Sequence, residues 1–169
     1  FFFFFFSNKN IIMAAQQCVG LTEKQVIVVP THSIPQGISA MMSVDTAEED
    51  PQAILAAMTE AAAAVTTAQI TYAARNSDFD GFAINEGDYL ALLDGKLFGT
   101  ERDITSLLTR LAALAAEREA AFVTLFYGEG VSQEEAEAAQ ALFTEACPET
   151  EVSLLSGGQP VYYYTISIE

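Results

Sequence analysis

Apolar residues fall along this chain in three rhythms, and each predicts its own kind of element. Residues 1–6, all phenylalanine, and 25–29, QVIVV, are runs without alternation. That is the pattern of parallel strands buried on both faces beneath helices. Between them Ile11, Ile12, Ala15 and Val19 recur at helical spacing, and Gly20 is placed to close that helix as its C′ residue. Together they predict one βαβ unit. It brings two polar loops, 7–10 and 31–36, to the carboxyl ends of neighbouring strands, the edge where open α/β sheets hold ligands.

The second rhythm is helical. Residues 38–44 read as a short apolar helix and 45–50 as an acidic connector. Asp50-Pro51 then opens a helix, with Asp as N-cap and Pro at the first helical position. Ile54, Leu55, Met58 and the alanines at 61–64 carry it to about Val65.

From about residue 69 the third rhythm takes over, short β-branched and aromatic runs broken by turns. Strands are expected at 69–74, 82–84, 89–93 and 96–98, with a loop at 76–81, a turn at 85–88 and a hairpin signal at Asp94-Gly95. Thr100–Asp103 resembles a capping box with Asp in place of Glu or Gln. The helix after it sets Ile104, Leu107, Leu108, Leu111 and Leu114 on one face. A strand follows at 121–126. Ser132-Gln133-Glu134-Glu135 is a full capping box for a helix to about Ala146, which Pro148 forbids from continuing. The last strands are read at 151–155 and 161–168. The order ββββαβαββ describes an α+β unit, and a boundary near 66–68 gives an α/β subdomain over 1–66 and an α+β subdomain over 67–169.

Charge supports that division, because two basic and six acidic side chains precede the boundary and five and 17 follow it. The formal net charge of −16 repels phosphate backbones and anionic bilayers, which argues against nucleic acid and membrane surfaces as partners. With 51% hydrophobic residues over 169 positions, the chain can bury a real core and is not disordered. No apolar run approaches the roughly 20 residues of a membrane span, so no membrane insertion is expected. Residues 1–6 lack the basic flank and cleavage site of a signal peptide. Cys18 and Cys147, with no ligand cluster near them, read as free thiols of a reducing, cytoplasmic compartment. The chain starts without Met inside what reads as an inner strand, so further sequence is expected upstream of Phe1.

Candidate chemistry gathers in loops. Asn8, Lys9 and Asn10 precede a helix N-terminus, where free N–H groups and the lysine charge suit an anion; the plainer reading makes an asparagine the cap. Thr31, His32, Ser33 and Gln36 hold the chain's one histidine. His beside Ser invites a hydrolase reading, but adjacent side chains diverge and no third orienting group is present. Asp78, Asp80, Glu86, Asp88 and Asp94 offer carboxylates to magnesium, although turns select Asp for backbone hydrogen bonds in any case. Gly157 and Gly158, with Gln159, permit positive φ or close backbone approach and so could cradle a carboxylate, a phosphate or a partner's backbone; a tight turn is the plainer reading. Tyr162, Tyr163 and Tyr164 follow, and alternation leaves at least one ring as an interface anchor. Neither GxGxxG nor a Walker loop is present, so no nucleotide site is supported by either motif. No catalytic or metal-binding residue is assigned.

The runs SNKNIIMAAQQ, VIVVPTHSIPQGISA and SLLSGGQPVYYYTISIE resemble the C-terminal region of the bacterial dihydroxyacetone-kinase-like proteins, the large subunits of fatty acid kinase. The six phenylalanines and His32 depart from that pattern. The closing elements also resemble the second domain of DegV-type fatty-acid-binding proteins. The implied fold class is α/β, a βαβ parallel-sheet unit followed by a smaller α+β subdomain in a DegV-like two-part arrangement, with the N-terminal part of the first unit missing. The resemblance further implies a kinase whose Mg-ATP sits on a separate domain of the same polypeptide, with no cofactor here. Its partner would be a DegV-like fatty-acid-binding protein, docked so that the acyl carboxylate can be phosphorylated. Two other readings compete: a domain binding a small carboxylate or phosphate at the same loops, and a hydrolase using Ser33 or His32.

Overall fold

The computed structural model describes residues 2–5, 9–79 and 82–169. By its internal packing the chain divides into two units, Phe1–Val65 and Thr66–Glu169.

In the first unit, strands β1 (Phe2–Phe5) and β2 (Val26–Val29) pair in parallel, Phe2 opposite Val26 and Phe5 opposite Val29. The crossover is helix α1 (Lys9–Cys18) and a 3-10 turn, Val19–Leu21. Gly20 therefore lies inside that turn and does not end the helix as its C′ residue. The expected inward face is also narrower: Ile12 is buried, whereas Ile11 is 49% exposed. Helix α2 (Ile34–Met42) starts four residues earlier than its apolar run, because Ser33 caps it and Pro35 lies in its first turn. Helix α3 (Pro51–Ala64) is capped by Asp50, which accepts from the Gln52 N–H, as its sequence predicts. Val29, Ala40, Ile54, Met58 and Ala62 form the core. Of the β2 run only Val29 is fully buried, so the unbroken apolar pattern overstated its burial.

The second unit is the larger of the two as described, not the smaller. Its sheet has six strands in the order β7-β6-β3-β10-β8-β9. They are β3 (Thr66–Tyr72), β6 (Tyr89–Leu93), β7 (Lys96–Glu101), β8 (Phe122–Tyr127), β9 (Glu151–Ser156) and β10 (Tyr164–Ile168). All neighbours are antiparallel except β8 and β9, which are joined in parallel through helix α5 (Gln133–Ala146). A further hairpin, β4 (Ser77–Phe79) with β5 (Phe82–Ile84), replaces the loop expected at 76–81 and adds one strand to the predicted order. Helix α4 (Ile104–Glu117) is capped by Asp103, which accepts from the N–H groups of Thr105 and Ser106. Thr100 is not the cap, because β7 runs on to Glu101. The Ser132–Glu135 capping box forms as its sequence reads.

Helices α4 and α5 pack on each other and on the sheet, burying Leu107, Leu111, Leu125, Phe143 and Ile166 completely. The central strand β10 is buried at every position. It begins at Tyr164, three residues later than predicted, and the difference shapes the loop before it.

Candidate functional site

The helix start at the carboxyl end of β2 is built from local hydrogen bonds. Ser33 Oγ accepts the Gln36 N–H at 3.3 Å, and Gln36 Oε1 in turn accepts the His32 N–H at 2.8 Å. Gln36 Nε2 also donates to the Val65 carbonyl at 3.4 Å. Thr31 is buried, while His32 lies on the surface. Pro35 has no N–H and the Gln36 N–H is taken by Ser33, so this helix start offers an anion few donors. The Ser33 hydroxyl serves as a cap. Lys9 and Asn10 open α1, and Asn8 lies outside the described residues.

The glycine loop uses its donors in the same way. Gly157 and Gly158 both donate N–H groups to the Tyr127 carbonyl, at 2.9 and 3.2 Å, and Gln159 Nε2 donates to the Phe126 carbonyl at 2.9 Å. The loop is thereby folded back onto the end of β8, with Gly158 at φ +61°. Gly128 permits the closest approach: a Cβ there would stand 2.2 Å from the Tyr162 carbonyl oxygen and 2.7 Å from that of Gln159. The Glu129 N–H donates to the Gln159 carbonyl at 3.2 Å, and the Gly128 N–H to that of Tyr163 at 2.9 Å.

Val161 carries the strain in this segment. Its φ is +71°, and the Tyr162 N–H bonds back to the Pro160 carbonyl at 2.8 Å around it. A β-branched residue at positive φ in a three-residue turn is held there only by its surroundings. Here Thr71 Oγ1 donates to the Val161 carbonyl at 3.0 Å and the Tyr163 N–H to that of Ile70 at 2.8 Å, fastening the loop to β3.

Between these pieces lies a cavity of about 300 Å³. Tyr72, Tyr162 and Tyr163 line it, together with Glu129, Gly130 and 159–161. Tyr163 stands edge-on to Tyr89 and Tyr72, with ring centroids 5.3 and 6.3 Å apart. Burial, with the two neighbouring phenols, raises the Tyr163 hydroxyl above its ordinary pKa. Burial pushes Tyr164 up to about 12, with Glu135 adding to the effect, and its hydroxyl donates to the Glu135 carbonyl at 3.3 Å.

Of the predicted site residues only Gln159 lines this cavity. Sequence reading singled out the tyrosine triplet as an anchor but gave no place to Tyr72 or Glu129, which lie far from it in the chain. The sequence signal available was Gly128-Glu129-Gly130, a second flexible turn at the end of a strand.

The acidic turns do structural work. Asp88 accepts from the N–H and side-chain amide of Asn85, at 2.9 and 3.1 Å, and Asp94 accepts from the Thr67 N–H at 2.9 Å. The Asn85 bonds, then Arg102 at 3.8 Å, hold the Asp88 carboxyl below its ordinary pKa against the cost of burial. Asp80 lies outside the described residues. Among the described residues no group of three or more His, Cys, Asp or Glu is placed to hold a metal ion. No helix among them is long and apolar enough to cross a membrane.

The model of the FakA-like C-terminal family, the C-terminal region of a fatty acid kinase protein, matches residues 2–169. The chain belongs to that family. This FakA-like C-terminal chain is 36% identical to the YloV protein of Bacillus subtilis (strain 168) over 163 residues. It is 31% identical over 166 residues to an uncharacterised protein of Staphylococcus aureus (strain USA300). The matches take in 96% of this chain but 29% and 30% of those relatives, so the chain spans under a third of their length.

Its fold is DegV-like. A DegV family protein from Corynebacterium glutamicum superposes with a TM-score of 0.66 at 17% identity, covering 92% of this chain and 68% of that one. The fatty acid kinase B3 protein of Streptococcus pneumoniae, solved loaded with linoleic acid, gives 0.63 at 9% identity, covering 95% and 66%.

Proposed function

We propose that this chain is the non-catalytic part of a fatty acid kinase large subunit that docks a DegV-like fatty-acid carrier. The carrier's acyl carboxylate would be phosphorylated by a Mg-ATP-binding domain elsewhere in the longer cytoplasmic polypeptide. The observation that carries this reading is the family match over residues 2–169. The donors of the 31–36 and 157–159 loops are largely engaged within the fold, which favours a docking surface over a small-anion site. His32, exposed beside the Ser33 cap, and Gln159 at the cavity are the contact residues best presented to a partner.

Calorimetric titration of this chain with a DegV-like acyl carrier, beside a titration with Mg-ATP, tests the proposal. Heat with the carrier and none with Mg-ATP is expected. Binding of Mg-ATP without the carrier would overturn it.

A further inference from the structure

The cavity beside the strained Val161 turn has a chemistry of its own. It lies where β3 and β8 end and β10 begins, walled by two loops that meet over Gly128. Three of its lining residues are tyrosines and its one charged lining residue is Glu129; no lysine or arginine contributes. The hydroxyls of Tyr72, Tyr162 and Tyr163 and the Glu129 carboxylate make no hydrogen bond or ion pair among the described residues. Four polar ends thus converge on one hollow without a partner inside the fold.

Aromatic faces beside a carboxylate select for positive charge. A cation within about 6 Å of a tyrosine face is attracted by the ring quadrupole, and a nearby carboxylate adds a charge-assisted hydrogen bond. An anion would meet the negative faces of the rings, Glu129, and a unit with 17 acidic and five basic side chains. A volume of about 300 Å³ is at the lower limit for ligand sites, the scale of one long side chain rather than a cofactor. The loop bonds to Ile70, Tyr127 and Thr71 keep the hollow formed in advance, which lowers the entropic cost of filling it.

We infer that this cavity receives an arginine side chain presented by a protein partner, its guanidinium between the tyrosine rings and the Glu129 carboxylate. Arginine suits the site better than lysine because its planar group can stack on a ring while its edge pairs with a carboxylate. The cavity acts as the charge-reading element of a docking surface. That the partner is a DegV-like carrier rests on the function proposed above; the recognition of a guanidinium does not.

The test is an NMR titration of this chain with N-acetylarginine amide, beside N-acetylnorleucine amide as a neutral chain of similar length. Shifts in the ring signals of Tyr72, Tyr162 and Tyr163 with the arginine compound alone are expected. Glu129→Gln, at an exposed position, should weaken the interaction at least fivefold, and Tyr72→Ala should weaken it too. No ring shifts, equal shifts with both compounds, or unchanged binding by Glu129→Gln would each overturn the inference. Carrier titration separates the two proposals. A carrier that docks equally well to Glu129→Gln overturns the cavity's role and leaves the docking function intact. If no carrier docks while arginine amide still binds in a Glu129-dependent way, guanidinium recognition stands and the proposed function fails.

Discussion

The two units of this chain use the same local rules and reach different degrees of closure. In Phe1–Val65 each helix has a sound start, yet the core holds five buried side chains among the described residues. Ile34, Ile38, Met41 and Met42, spaced along α2, remain exposed to between 39% and 82%. In Thr66–Glu169 a six-stranded sheet and two helices close over 17 buried residues, and β10 has both of its edges paired. Capping and periodicity therefore suffice to make a helix but not to bury it. Burial comes from strand pairs distant in sequence, and β10, the last strand, joins β3 to β8 only when the chain is complete.

The largest expected effect falls on the larger core. Phe143→Ala should cost about 3–5 kcal/mol in the second unit, since a fully buried ring leaves a cavity between α5 and the sheet. Urea unfolding followed by hydrogen exchange reads it: amides of Val123 and Ile166 should lose protection while those of Met58 and Ala62 keep theirs. Equal loss in both units would show that they unfold as one and remove the contrast between them.

Gly128→Ala comes next, at about 1–3 kcal/mol, because the new methyl meets backbone oxygens that cannot turn away. The circular-dichroism midpoint in urea should fall, and the Tyr162 and Tyr163 ring signals should broaden or move.

Ser33→Ala should cost about 1 kcal/mol through the lost cap. Faster amide exchange confined to α2 is the expected result. Exchange spreading into the second unit's sheet would mean that the units share their stability.

The smallest effect is a pH dependence. The Asp88 carboxyl sits below its ordinary value of 3.8, so its contribution to the second unit is present above that value. It is lost as pH falls through the lower, folded value. Asp88→Asn should therefore flatten the fall in stability below about pH 4, measured as urea midpoints across that range. An unchanged slope would assign the acid sensitivity to other groups.

Much of the framework was legible residue by residue. The Asp50-Pro51 start, the Ser132–Glu135 box, the Asp94-Gly95 hairpin and the parallel pairing of β1 with β2 follow from patterns a few residues wide. The β4–β5 hairpin was missed because short polar strands around 80–81 look like loop. The start of α2 was missed because a proline and glycine suggested irregular chain, although Pro35 in a first turn favours a helix. The glycine loop was identified as special. That its donors turn inward to Tyr127 was not visible in the sequence.

Where helices begin, which segments pair locally, the acidic balance and the family resemblance could all be read from the residues in order, because each depends on neighbours along the chain. The cavity could not. Tyr72, Glu129 and Tyr163 meet only because β10 returns between β3 and β8, and Val161 is held at positive φ only by bonds from that meeting. No local preference would put a valine there. Long-range strand pairing offsets its strain.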